Sequence, residues 1–167
     1  MTGRAVSEAD REPEAPVARL GAIAQIGIVT ADLERAIRAW SDRYGVGPWR
    51  MREFGPENVV DQIPGPFSMR LATARVGTVD LELIQPLDES SDYARSLRHH
   101  HGADHMHHML FRTVDFAAAV DGFARAGVAQ AMAGTTDGSR FMYFDTEREL
   151  GTRIELLGPA DRLEPDS

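Results

Sequence analysis

Apolar and polar positions follow the same pattern twice along the chain. Ala22 to Val29 is apolar and β-branched and reads as a strand. Leu33, Ala36, Ile37, Trp40 and Tyr44 then recur at helical spacing and predict one apolar helix face. Thr30 or Asp32 can cap that helix, Asp32 and Glu34 suit its positive end, and Gly45 stops it. Strands follow near Pro48–Glu53, Phe67–Val76 and Thr78–Gln85. The second passage predicts strands near Met106–Thr113, Val128–Ala133, Arg140–Asp145 and Thr152–Leu157. Its helix carries Phe116, Ala119, Val120 and Phe123, with Thr113 or Asp115 as cap and Gly127 as stop.

The two passages align as an internal repeat. Gln25 to Asp32 laid over His108 to Asp115 puts Thr30 on Thr113, Asp32 on Asp115, Ala36 on Ala119 and Trp40 on Phe123. Leu81-Glu82-Leu83-Ile84-Gln85-Pro86 is echoed by Ile154-Glu155-Leu156-Leu157-Gly158-Pro159. Each half therefore reads as β-α-β-β-β. The expected organisation is one structural domain over 18–159. It comprises a first module at 18–86, a connector at 87–104 and a second module at 105–159. In the connector Ser91 caps a short helix through Tyr93, Ala94 and Leu97. The polar, charged segments 1–17 and 160–167 are expected to be a disordered arm and tail.

Composition narrows the classes of function. Apolar residues make up 43% and charged residues 26%, near globular averages, which argues against disorder of the whole chain. The absence of cysteine removes disulfides, thiolate nucleophiles and thiolate metal sites. A net charge of −8 opposes phosphate backbones, so no nucleic-acid partner is expected. No apolar run reaches the roughly 18 residues of a membrane span, and residues 1–19 lack a signal-peptide core. A soluble cytoplasmic protein without a membrane partner is the expectation.

Strand parity then isolates four polar side chains. Successive side chains point to opposite faces of a strand. With Leu81, Leu83, Ile154 and Leu156 assigned to the helices, Glu82 and Glu155 face the other way. Gln25 shares its face with Ile23, Gly27 and Val29, and His108 shares its face with Met106 and Leu110. These four occupy repeat-equivalent places and would converge inside a curved sheet. A carboxylate among apolar strands must be paired, protonated or metal-bound, and two facing carboxylates raise each other's pKa. A divalent cation neutralises both. One imidazole, two carboxylates and one amide oxygen suit Mg, Mn, Co, Ni or Zn rather than copper(I).

At these residues the chain resembles the vicinal-oxygen-chelate superfamily of glyoxalases, bleomycin-resistance proteins and dioxygenases, over about Ile23 to Pro159. Leu83-Ile-Gln-Pro-Leu-Asp-Glu-Ser90, Leu97 and His107-His-Met-Leu-Phe111 are most similar to its methylmalonyl-CoA epimerase-like branch. The resemblance implies an α+β fold, with two pseudo-symmetric βαβββ modules forming a cupped mixed sheet around one divalent metal. It implies Glu82, His108 and Glu155 as ligands. The first ligand of the family is usually histidine, and here the position is Gln25, whose neutral oxygen binds such metals more weakly than imidazole. Gly45-Val-Gly-Pro-Trp49 resembles a little-characterised branch that tends to carry glutamine there.

The implied reaction is proton transfer beside a carbonyl of a small carbonyl compound or acyl thioester, epimerase-like or glyoxalase-like, with Glu155 or Glu82 moving the proton. A second base is not placed; Glu53, Glu57 and Asp61 lie on a connector of unknown direction. Extradiol ring cleavage fits less well, because only His108 matches its two-histidine requirement. The run His99-His-His101, with His105 and His107, reads as a solvated connector. Arg75, Arg140 and Arg153 are candidates to meet an anionic substrate but read more simply as surface residues. Met69, Met142, Phe144 and Trp49 are pocket candidates that read first as core. The alternative function is a metal-free small-molecule binding or resistance protein of the same fold. A homodimer is expected, since a cupped open sheet leaves edges to protect.

Overall fold

The computed structural model describes residues 16–136 and 138–160. Apart from residues 16, 17 and 160, the expected arm and tail lie outside the described residues. The first half runs β1 (Leu20–Val29), α1 (Leu33–Tyr44), β2 (Arg50–Phe54), β3 (Val60–Ile63), β4 (Met69–Val76) and β5 (Val79–Pro86). α2 (Asp92–His99) lies in the connector. The second half runs β6 (His105–Thr113), α3 (Phe116–Arg125), β7 (Gln130–Thr136), β8 (Ser139–Phe144), α4 (Glu147–Leu150) and β9 (Arg153–Pro159). Among the described residues no helix is long and apolar enough to cross a membrane.

The helix signals read from the sequence operate as local chemistry. The Asp32 side chain accepts from the Arg35 N–H, and Gly45 closes α1 in the left-handed region at φ 68. Asp115 accepts from the Ala118 N–H, and Ser91 from the Ala94 N–H. Each such cap stabilises its helix by about 1 kcal/mol. Leu33 and Ala36 bury against Ala72 and Leu83, and Trp49 joins that cluster. Phe116, Ala119 and Phe123 bury against Met142, Phe144, Ile154 and Leu156. Each large side chain so buried contributes roughly 1.5–3 kcal/mol. Tyr44 departs from the expected stripe: at the last turn of α1 it has passed the edge of the sheet and is 69% exposed.

The strands form one nine-stranded mixed sheet in the order β2-β4-β5-β1-β6-β9-β8-β7-β3. The two halves meet where β1 pairs antiparallel with β6, and each half closes with a parallel pair, β1 with β5 and β6 with β9. β3 was not anticipated. Its four residues are too few for a period to show, and its pairing comes from the far half, at the outer edge of β7. The link from Phe54 to Val60 thus joins the two opposite edges of the sheet. Laid flat, nine strands would hold those edges about 38 Å apart, whereas the six residue steps between Phe54 and Val60 reach at most about 20 Å. The sheet must curl, and Asn58 tightens the link by accepting from the Gly55 N–H and donating to the Glu53 carbonyl. Val59, just before β3, and Phe67, after it, bury into a cluster with Tyr93, Phe141 and Tyr143.

Candidate functional site

The concave face encloses a cavity of about 570 Å³ lined by Gln25, Glu82 and Glu155 together with Tyr143, Leu71 and Phe54. β1 presents Gln25, β5 presents Glu82 and β9 presents Glu155. His108 lies fully buried beneath this floor on β6. Its Nε2 is 3.1 Å from Glu155 Oε2 and 3.6 Å from Glu82 Oε2. Three of the four sequence candidates therefore meet directly, and Gln25 lies beside Glu82.

A glycine makes this packing possible. Gly27 on β1 stands opposite His108, and a Cβ added there would meet the imidazole at 1.9 Å. The repeat-equivalent position in the second half is Leu110. A lone glycine inside an apolar strand is the sequence signal for such a close approach.

A β-bulge supplies the support behind His108. Gly27 and Ile28 are neighbours on β1, but their partners on β6 are His108 and Met106, so His107 is the extra residue. A bulge breaks strict side-chain alternation. His107 Nδ1 accordingly comes within 3.1 Å of His108 Nδ1, and His107 Nε2 within 3.0 Å of Asp92 Oδ2. Burial alone would raise the Asp92 carboxyl, but the His107 bond and the charges of Arg153 and Arg95 hold it below the ordinary range. Burial pushes His107 down to about 4, so it is neutral. Ionised Asp92 then accepts from His107 Nε2–H, and bare His107 Nδ1 accepts from His108 Nδ1–H. When His108 is neutral, this arrangement leaves the lone pair on its Nε2, on the side of the two glutamates. His107 is therefore not part of a solvated connector. Of the other histidines, His99 and His101 are exposed, while His100 stacks on His105 at 3.7 Å, away from the cavity.

The electrostatics of the floor are unresolved by protein groups alone. Burial pushes Glu82 up to about 7, with Glu155 adding to the rise and His108 and Gln25 opposing it. Burial would lower His108, but the Glu155 and Glu82 carboxylates outweigh it and raise its pKa. His108 Nε2 and Glu155 Oε2 are close yet misaligned, and neither has a hydrogen-bond partner. Donors about 2.1 Å from one ion lie about 3.0 Å apart at octahedral angles and about 3.4 Å at tetrahedral ones. The 3.1 Å separation falls within that range, and the 3.6 Å separation lies just above it. Among the described residues no group of three or more histidine and acidic side chains is closed around one point. The donor set and its orphaned atoms nonetheless fit a divalent cation with oxygen and nitrogen ligands.

Other candidates fall elsewhere. Glu53 pairs across to Arg70 on the convex side of β2, Glu57 is exposed in the turn before β3, and Asp61 is exposed on β3, so none lines the cavity. Arg153 is buried against Asp92 and Glu147. Arg75 pairs with Asp80 at the cavity wall, and Arg140 lies near Thr135. Met69 does line the cavity. Met142 and Phe144 pack beneath α3, and Trp49 packs against α1, donating to Ser41 Oγ at 2.9 Å. The sequence reading missed Tyr93 and Tyr143, a buried pair with hydroxyls 2.8 Å apart on the cavity wall.

Comparisons with known proteins agree with this architecture. The profile described as Glyoxalase/Bleomycin resistance protein/Dioxygenase superfamily matches residues 24–144. No curated protein matches the chain in sequence. A variant methylmalonyl-CoA epimerase of Streptomyces coelicolor, in complex with 2-nitronate-propionyl-CoA, superposes with a TM-score of 0.64 at 22% identity, covering 88% of this chain and 100% of that one. The methylmalonyl-CoA epimerase of Mycobacterium tuberculosis gives 0.65 at 24% identity, covering 90% of this chain and 96% of that one. A hypothetical protein from Bacillus halodurans C-125 gives 0.64 at 15% identity, covering 86% and 98%. At these identities the likeness is one of fold.

Proposed function

The chain belongs to the glyoxalase/bleomycin resistance protein/dioxygenase superfamily, and from that premise we propose that it is a metal-dependent enzyme moving a proton beside a carbonyl of a small carbonyl compound or acyl thioester. The chemistry is epimerase-like or glyoxalase-like. The observation that carries this reading is the convergence of His108 Nε2 with Glu82 and Glu155 on the floor of the cavity, beside Gln25. Gln25, Glu82, His108 and Glu155 would hold a divalent ion such as Co, Mn, Ni, Zn or Mg. Such an ion, when bound, polarises a carbonyl and favours loss of the proton on the neighbouring carbon.

The chain's own groups do the rest. Glu155 or Glu82 takes and returns the proton. Tyr143, buried at the cavity wall with a hydroxyl that burial keeps protonated, is a donor for an oxygen gaining negative charge. Phe54, Met69, Leu71 and Phe141 exclude water from the carbon that loses its proton. A homodimer is proposed on the same footing, since the outer edges of β2 and β3 are left unpaired among the described residues.

Metal analysis of untagged protein, with deuterium incorporation into methylmalonyl-CoA in heavy water, tests this reading. About one ion per chain and exchange lost in His108→Ala are expected. Fewer than about one ion in ten chains after soaking, by the donor-set argument, overturns it. The Gln25 amide favours a second reading, a metal-free binder of apolar compounds in the same cup. Unchanged affinity for aromatic ligands in strong chelator would then be found.

A further inference from the structure

The cavity has a second charged feature that the proposed chemistry leaves unused. Arg50, Arg52 and Phe54 of β2 line it from one lateral edge. Residues opposite each other on antiparallel strands share a face, so Arg50 stands in one row with Thr73 and Glu82. Two strand spacings, about 10 Å, separate the Arg50 and Glu82 backbones. Both arginines are exposed, and neither has an ion-pair partner among the described residues. The third arginine of the wall, Arg75, is already bound to Asp80 at 2.8 Å.

The charge balance gives these two side chains a role. A chain of net charge −8 repels anions over most of its surface. Within the cavity, Arg75 cancels Asp80, and Glu82 and Glu155 face His108 on the floor, at least two strand spacings from Arg50. Arg50 and Arg52 remain as the uncompensated charge. A guanidinium is a planar fork that matches the oxygens of a carboxylate or phosphate.

We propose that Arg50 and Arg52 form an anion subsite on the β2 rim. It binds a carboxylate or phosphate group of a substrate whose carbonyl lies over Gln25, Glu82 and Glu155. The placement of the carbonyl rests on the proposed function; the anion subsite itself does not require the ion.

Calorimetry in chelator compares wild type with Arg50→Gln/Arg52→Gln, using three probes. Propionyl-CoA carries phosphates without a free carboxylate. The methylmalonyl thioester of N-acetylcysteamine carries a carboxylate without phosphates, and its propionyl counterpart is neutral. Wild type is expected to bind at least one charged probe about tenfold or more tighter than the neutral one. That preference should disappear in the variant and in about 0.5 M salt. The charged probe that loses affinity identifies the source of the anion. Arg50→Lys/Arg52→Lys, which keeps charge without the fork, should give an intermediate loss. Equal binding of all probes by wild type, or an unchanged preference in the folded glutamine variant, overturns the proposal. Because these measurements need neither ion nor turnover, failure of the subsite and failure of the metal-dependent reading are separately visible.

Discussion

The two halves place polar groups at equivalent strand positions but support them differently. In the second half, His108 is fully buried and backed through His107 to Asp92, which Arg153 also holds. In the first half, Gln25 is half-buried at the same position and, among the described residues, has no such chain behind it. The chemistry of the two side chains explains the asymmetry. An imidazole presents a lone pair only in the correct tautomer, which a partner on its other nitrogen must fix. A neutral amide oxygen always presents lone pairs and needs no partner to do so. The second half thus carries the braced side chain, and the first half carries the unbraced one.

The harshest way to break this arrangement is Gly27→Ala. The added methyl would occupy the imidazole's place, 1.9 Å from its nearest atom, so His108 must leave the floor. Loss of divalent-ion affinity by more than about a hundredfold is expected, read by competition with a fluorescent chelator, because the proposed nitrogen ligand is displaced, which should exceed the loss of an outer-shell support. Retained affinity would mean His108 is not a ligand.

A smaller effect is expected from Asp92→Asn, which removes the charge behind His107 without removing volume. Support of this kind is worth about 10–100-fold in metal affinity. The reverse exchange in the first half, Gln85→Glu, at a half-buried amide whose side chain accepts from the Leu33 N–H, should leave affinity unchanged. Equal losses in both variants would erase the distinction between the halves.

The smallest effect concerns pH in the ion-free protein. Glu82 is raised from 4.5 to about 7 and His108 is raised above 6.5, so both bind protons more tightly folded than unfolded. Their stabilising contribution is present at low pH and is lost as pH rises through the folded values. His107, lowered to about 4, acts in the opposite sense, but only below 6.5. The clean window is therefore pH 6.5 to 8, with Glu155, Gln25, Asp80, Arg153 and Tyr143 the other polar groups around the pair and Asp92 behind His107. Thermal melts in chelator should shift down by a few degrees across it, and Glu82→Gln should flatten the slope. Added divalent ion should reverse it, since ligation requires deprotonated groups.

Most of the sheet and the site were legible because their signals are periodic. The cap at Ser91, the cap pairs Thr30 or Asp32 and Thr113 or Asp115, of which the structure uses the aspartates, the helix stripes and the facing of Glu82 and Glu155 follow from residue type, spacing and parity. What escaped the sequence reading is non-periodic. β3 exists through pairing with a strand of the other half, and four residues carry no pattern of their own. His107 escaped because the bulge suspends alternation at the very place where alternation was assumed. Asp92 is an ordinary first-turn acid until its helix is docked on β6. Arg50 and Arg52 look like surface arginines in a linear reading, and only the curl of the sheet turns them over the cavity.

That curl has a consequence for how the chain can be taken apart. The crossing of Gly55 to Val59 stitches the first half to the outer flank of the second, so the halves are joined at both ends, once by β1 on β6 and once by β3 on β7. A nick in the exposed turn at 101–104 would cut only the covalent tie. The two fragments should stay clasped as one particle, and they cannot trade partners between molecules without first unbuckling β3.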